Sequence, residues 1–296
     1  MQDPFFSTSE APENVLGLDG LEFVEFAAPD AVALGAHFEQ MGFSAVAKHR
    51  SKNVVLFRQG DINFLINADE ESFAQTFNRS YGPGICAIAV RVKNVASAYK
   101  RALASGAWDV PPHAGAMELN IPAIISVGGT HIYFVDRYGD HTIYDVDFLP
   151  LPQMSPPVKP LGLTRVEHIT LTVCAGREQE WIEFHQQVFG FRTTQTTAGG
   201  CIWMESPCGK IRIVIRPEAD ATPGAAASEP VNAEGIADIG IETDALADVA
   251  AAFRANGIPL ARDPEADADR PGVTRLVTAP VVEPFYFEVV QRPAAA

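Results

Sequence analysis

Three residues in the second half of the chain have the side chains and the placement of metal ligands: His168, Asp238 and Glu288. His168 lies in a stretch, residues 165–173, where β-branched residues alternate with polar ones as in a strand. Alternation predicts that its side chain faces away from that of Glu167. Asp238 and Glu288 lie in two further strand-like stretches, one opening at Gly235 and the other over 285–291. One imidazole and two carboxylates on three strands can converge at the mouth of a curled sheet. Such a set leaves the other positions of a divalent metal open to water or substrate. A lone histidine in a strand is ordinarily a packed residue, so the case for a set rests on the rest of the chain.

That case is an internal repeat. A strand, a helix and several strands recur four times, beginning near Leu18, Gly84, Leu163 and Gly235. From mid-strand to the glycine that stops the helix, Phe23 to Gly42, Ala87 to Gly106 and Asp238 to Gly257 each span nineteen residues, and His168 to Gly190 spans twenty-two. The helix faces read Leu34, Phe38 and Met41, then Val95, Ala98, Tyr99 and Ala102, at a period near 3.6. The third reads Trp181, Phe184, His185, Val188 and Phe189, and the fourth Leu246, Val249, Ala250 and Phe253. His185, on an apolar face, reads as a packed histidine rather than a ligand. Strands are predicted at 130–135, 141–148 and 274–277, a loose loop at 218–232, and an acidic loop at 263–271 with Arg262 and Arg270 at its ends.

Laying the second half over the first pairs His168 with Phe23, Asp238 with Ala87 and Glu288 with Asp145. The second half therefore carries the ligand-type set, and the first reads as a structural copy. The expected organisation is a flexible tail over 1–14, a structural domain without a metal site over 15–150, a Pro-rich linker over 151–161 and a metal-binding catalytic domain over 162–292. The fold class is α+β, two tandem domains, each a curled mixed sheet of paired β-α-β-β-β units with helices outside.

The bulk numbers agree with a globular chain: 296 residues, 47% hydrophobic and 20% charged. No apolar run is long enough to span a membrane, and the polar, acidic start does not read as a secretory signal. A formal charge of −15 argues against nucleic acid or anionic membrane as partner and reads as solubility. Cys86, Cys174, Cys201 and Cys208 form no C-x-x-C motif and read as reduced thiols of a cytoplasmic protein. Cys208 falls in a turn and has no basic partner in view. The expected partner is a small-molecule substrate, and a homo-oligomer is compatible with the pattern.

Stretches 49–54, 57–63, 117–124 and 136–139 in the first half, and 166–168, 233–236 and 285–292 in the second, resemble the two-domain dioxygenases that act on 4-hydroxyphenylpyruvate. These belong to the vicinal oxygen chelate (glyoxalase/bleomycin resistance/dioxygenase) superfamily. The resemblance covers nearly the whole chain. It implies an inert first domain and an Fe(II) site in the second, held by two histidines and a glutamate. His168 and Glu288 match the first and third ligands, and Asp238 stands where the family has its second histidine. Arg216 stands where the family carries a substrate-pocket asparagine, and no glutamine occurs between Val273 and Glu283. The family's C-terminal lid helix is expected to be absent.

The resemblance implies a dioxygenase in which a 2-oxo acid, or a related aromatic acid, meets Fe(II) at His168, Asp238 and Glu288. Arg216 is the candidate for a substrate carboxylate, since a guanidinium pairs with it through two hydrogen bonds. Arg212 reads as an outward-facing strand residue. A carboxylate in place of an imidazole makes the site harder, which favours Mg(II) or Mn(II) and a non-redox lyase, isomerase or epimerase. A third reading is a non-catalytic ligand-binding homologue.

Overall fold

The structure is a computed structural model that describes residues 13–111, 118–152, 157–218, 234–280 and 285–293. The expected tail over 1–14 and loop over 218–232 fall almost wholly outside the described residues.

The first half runs β1 (Leu18–Ala27), α1 (Ala31–Gln40), β2 (Ser44–His49), β3 (Val54–Gln59), β4 (Ile62–Asn67), α2 (Phe73–Tyr81), β5 (Gly84–Val92), α3 (Val95–Ala104), β6 (Trp108–Asp109), β7 (Ala123–Ile125), β8 (His131–Val135), α4 (Tyr144–Asp147) and β9 (Phe148–Pro150). The second runs β10 (Leu163–Val173), α5 (Glu178–Phe189), β11 (Arg192–Thr196), β12 (Ile202–Glu205), β13 (Arg212–Pro217), β14 (Gly235–Thr243), α6 (Leu246–Ala255), β15 (Leu260–Ala266), β16 (Thr274–Thr278) and β17 (Tyr286–Gln291).

The two halves share one pairing scheme. β1 lies antiparallel to β5 and parallel to β4, and β5 lies parallel to β8. In the same way β10 lies antiparallel to β14 and parallel to β13, and β14 lies parallel to β17. Hairpins complete each module. The fold is thus α+β, with two tandem repeats of one mixed-sheet topology, as expected, and sheets that do not close. A single pairing, Ile236 with Ile85, joins β14 to β5.

Local chemistry sets the helices. Asp30 accepts hydrogen bonds from the backbone N–H groups of Val32 and Ala33 at 3.0 and 2.9 Å and so caps α1. α5 ends at Gly190 in the left-handed region, φ 72°, where glycine is unstrained. The apolar faces of α1, α3, α5 and α6 enter one core with alternate residues of both sheets. Phe26 stands 5.4 Å from Phe285 and Phe64 stands 5.8 Å from Phe287, ring centre to ring centre, so the halves meet through aromatic packing.

Three elements differ from expectation. The predicted strand 141–148 is instead the turn of helix α4 followed by β9, with the backbone N–H of Thr142 donating to Asp145 Oδ2 at 2.7 Å. That local side-chain bond competes with sheet pairing. The first part of the predicted acidic loop, residues 263–266, is strand β15, paired with β16 across register shifts. Helix α2 has no counterpart in the predicted units, although Ser72 caps it by accepting from Gln75 N–H at 3.2 Å.

The α4 turn changes the comparison of the halves. Glu288 pairs with Gly240, and Gly240 pairs with His168. In the first half Ala89 pairs with Phe23 and Tyr133 pairs with Ala89. Tyr133, not Asp145, therefore occupies the place of Glu288. Phe23 and Tyr133 stand 5.8 Å apart among Leu56, Leu65 and Tyr144, so aromatic and aliphatic side chains fill this face.

Candidate functional site

Strand alternation sorts β10, β14 and β17 into two faces. Ile169, Leu171, Val173, Ile239, Ile241, Phe287 and Val289 point into the shared core. His168, Thr170, Asp238, Tyr286 and Glu288 point the other way and line a cavity of about 400 Å³. Its far wall comes from β12, β13 and the β15–β16 hairpin, with Trp203, Arg216 and Arg270.

One irregularity overturns the expected placement of Glu167. Val166 pairs with Ile241 and His168 with Gly240, so β10 carries one extra residue there. This bulge turns Glu167 to the same side as His168. His168 Nδ1–H donates to Glu167 Oε2 at 2.5 Å, and both side chains are almost wholly buried. The bulge recurs at Glu22 of β1, between Leu21 and Phe23, and Glu22 Oε2 accepts from Arg91 Nε–H at 2.6 Å.

The imidazole is held on all sides. Gly240 lies under it: a Cβ at that position would clash with Cε1 and Nδ1 and stand 2.9 Å from Nε2. Trp203 lies 5.0 Å from it, centre to centre. With Nδ1 committed to Glu167, Nε2 faces Asp238 Oδ1 at 3.9 Å. Burial opposes charge on His168, but Glu167, Glu288 and Asp238 more than offset it and raise its pKa. Burial likewise opposes the charge on Glu167, and His168 and Arg292 outweigh it, so its pKa is lowered.

The expected ligand residues do lie on one face, but guanidinium groups take their oxygens. Arg216 Nη1–H donates to Asp238 Oδ2 and to the Tyr286 hydroxyl, each at 3.0 Å. Arg270 Nη2–H donates to Glu288 Oε1 at 2.5 Å, and Arg275 Nη1–H to Glu288 Oε2 at 3.2 Å. Arg270 also pairs with Asp267 at 2.6 Å and with Glu167 at 3.4 Å, and its guanidinium lies 4.5 Å from the centre of the Trp203 ring. Among the described residues no group of three or more His, Cys, Asp or Glu side chains is arranged to hold a metal ion. Judged on its donors, the set as paired does not fit a resident divalent ion.

Arg216 stands on the cavity wall. Arg212 does not face outward: it reaches Glu205 at 3.1 Å and the buried Glu167 at 3.5 Å, on the cavity side shared by residues 212, 214 and 216 of β13. His185 is buried among Phe184, Phe189 and Phe191, and its Nδ1–H donates to Trp181 O at 2.8 Å, so it is a packed residue. Cys208 sits in a turn against Ser206 Oγ at 3.2 Å. Sequence reasoning missed Glu167, Trp203, Arg270 and Arg275 as parts of the site. The alternation of Arg212, Val214 and Arg216 was a signal for the cavity face, whereas the bulge at Glu167 left none. No helix among the described residues is long and apolar enough to cross a membrane.

Comparison with known proteins agrees with this architecture. Residues 12–149 match the family described as hydroxyphenylpyruvate dioxygenase, N-terminal, and residues 165–284 match the glyoxalase/bleomycin resistance protein/dioxygenase superfamily. The 4-hydroxyphenylpyruvate dioxygenase of Pseudomonas aeruginosa is 35% identical, over 94% of this chain and 89% of its own length. A 3-dehydroshikimate dehydratase from the same organism is 31% identical over 98% of this chain, which spans only 52% of that relative. A solved xylose isomerase-like TIM barrel/4-hydroxyphenylpyruvate dioxygenase fusion protein superposes with a TM-score of 0.80 at 30% identity, covering 100% of this chain and 52% of that one. The chain belongs to the 4-hydroxyphenylpyruvate dioxygenase-like family of the glyoxalase/bleomycin resistance/dioxygenase superfamily.

Proposed function

We propose that this chain is a dioxygenase-like enzyme acting on a small carboxylic acid, of the 2-oxo or aromatic class, bound in the cavity around His168. The observation that carries this reading is Arg216. Its guanidinium stands on the wall of a cavity of about 400 Å³, within the size range of small-ligand sites. Nη1 is held by Asp238 and Tyr286 and Nη2 donates to Thr172 Oγ1 at 3.3 Å, yet the side chain keeps 33% of its surface exposed. The N–H donors left over on that exposed part suit a carboxylate, through charge-assisted hydrogen bonds. Trp203 and Tyr286 line the same cavity. Glu167 and Gly240 fix the orientation of His168, so its Nε2 is presented without further reorganisation.

In this reading His168, Asp238 and Glu288 are the candidate metal ligands, with Fe(II) the ion the family suggests and Mg(II) or Mn(II) the alternatives. Loading requires Asp238 and Glu288 to be released from their arginines. The test is anaerobic addition of Fe(II), then oxygen uptake against a panel of 2-oxo acids. Uptake with one of them, lost in Arg216→Leu, supports the reading. 4-Hydroxyphenylpyruvate itself is expected to turn over poorly, because Arg216 stands where the family has an amide. Rapid uptake with that compound sinks this specificity.

The pairing of both candidate carboxylates favours a second reading, acid binding without turnover. It predicts calorimetric binding of a 2-oxo acid with no oxygen uptake in the Fe(II)-treated protein.

A further inference from the structure

We infer that Arg270 and Arg216 take the place of a cation at this site, so that the protein must displace them before a divalent ion can bind. Four carboxylates, Glu167, Asp238, Asp267 and Glu288, meet five guanidiniums, Arg212, Arg216, Arg270, Arg275 and Arg292, around one face of the sheet. Arg270 is the centre of this arrangement. It contacts Glu167, Asp267 and Glu288, and only 8% of its side chain is exposed.

Its position is built rather than incidental. Asp267 Oδ1 accepts the backbone N–H groups of Asp269 and Arg270 at 2.9 and 3.1 Å, which shapes the tip of the β15–β16 hairpin. Asp267 Oδ2 accepts Arg270 Nε–H at 2.7 Å, and the hairpin closes through Asp267 N–H to Val273 O at 2.9 Å. The Trp203 ring lies against the guanidinium. The hairpin thus aims a fixed positive charge at Glu288, while Arg216 from β13 neutralises Asp238. A guanidinium satisfies carboxylates in a plane through directed hydrogen bonds, and it cannot lose its proton to make way for an ion. A metal at His168 Nε2 would need oxygens that are already bonded, beside two buried or half-buried positive charges. The inference rests on the candidate ligands of the proposed reading and shares Arg216 with it, but its test asks only whether an ion binds.

The experiment titrates the protein with Mn(II), without substrate or oxygen, and follows free Mn(II) by electron paramagnetic resonance. The purified wild type is expected to bind no tighter than about 1 mM, and Arg270→Gln at least about tenfold tighter. Arg216→Gln, which frees Asp238 instead, is the second variant and should also tighten binding. Circular dichroism and Trp fluorescence report whether each variant keeps the fold. Stoichiometric micromolar binding by the wild type overturns the inference. Equal weakness in wild type and every folded variant overturns it too, because the guanidiniums would then not be what excludes the ion. Failure of the substrate reading would leave these titrations unchanged.

Discussion

The imidazole of His168 fills the space that a Cβ on Gly240 would occupy. Gly240 is one strand away in β14, and its φ is not in the left-handed region, so backbone freedom is not the reason for glycine. The reason is close approach: the ring lies where the neighbouring strand has no side chain. Gly240→Ala is therefore expected to push the ring off Glu167 and to destabilise the fold by about 1–3 kcal/mol. Because the clash is with His168 itself, His168→Ala should recover much of that loss. Urea denaturation of both single variants and the double measures the coupling, and simple additivity would show that the two do not touch in solution.

The first half offers a contrast between Phe23 and Asp145, which the sequence repeat aligned with His168 and Glu288. Phe23 is 5% exposed and packs against Tyr133, where the second half has His168 and Glu288. Phe23→Ala is expected to cost about 3–5 kcal/mol in denaturant unfolding. Asp145 lies exposed in the α4 turn, so Asp145→Ala should leave the unfolding midpoint nearly unchanged. A large effect at Asp145 would mean that it, and not Tyr133, is the counterpart of Glu288.

His185 gives a pH dependence far from the cavity. Burial among aromatic rings pushes its pKa down to about 4, with the bond to Trp181 O opposing the shift only in part. Unfolded, the imidazole has its ordinary value near 6.5. Above that pH both states are neutral and stability is complete. As pH falls from about 6.5 to about 4 the unfolded chain takes up the proton first, so stability is lost over that window. The full effect is about 3 kcal/mol. Comparing unfolding free energies of wild type and His185→Leu at pH 7 and pH 5 isolates it. The difference between the two proteins should shift in favour of the variant at pH 5, and an unchanged difference rules the effect out.

Much of this architecture was legible because repetition carries it. The period of Leu246, Val249, Ala250 and Phe253 placed α6, and the alternation around His168 and Asp238 placed β10 and β14. The face on which His168 and Asp238 lie followed from counting residues by twos. Counting failed wherever the backbone adds or diverts a residue. The bulge at Glu167 inverts the expected face of that side chain, and no residue type announces it. The turn at 144–147 removed Asp145 from a strand whose letters still alternate. Arg270 was visible only as the end of an acidic loop; its aim at Glu288 depends on the side chain of Asp267 folding the hairpin tip. Partner choice among charges is a tertiary property, and spacing along the chain does not encode it.

Arg216 and Asp238 allow the last prediction to separate breaking a charge pair from replacing it. Asp238 is 2% exposed, and one of its oxygens is held by Arg216 at 3.0 Å. Removing the guanidinium alone leaves a buried carboxylate without its main partner. Arg216→Leu is thus expected to destabilise the protein by about 2–4 kcal/mol, below the full range for buried pairs because Arg216 keeps a third of its surface in water. Replacing both with apolar residues, Arg216→Leu with Asp238→Leu, removes the stranded charge along with its partner. The double variant should therefore be more stable than Arg216→Leu alone, in spite of carrying one more substitution. Neither variant should bind a 2-oxo acid, because both lack the guanidinium that would receive its carboxylate. Thermal and urea unfolding with calorimetry read the two effects separately. If the double variant is the less stable one, Asp238 is held chiefly by groups other than Arg216; if acid binding survives in both, the carboxylate is received elsewhere on the cavity wall.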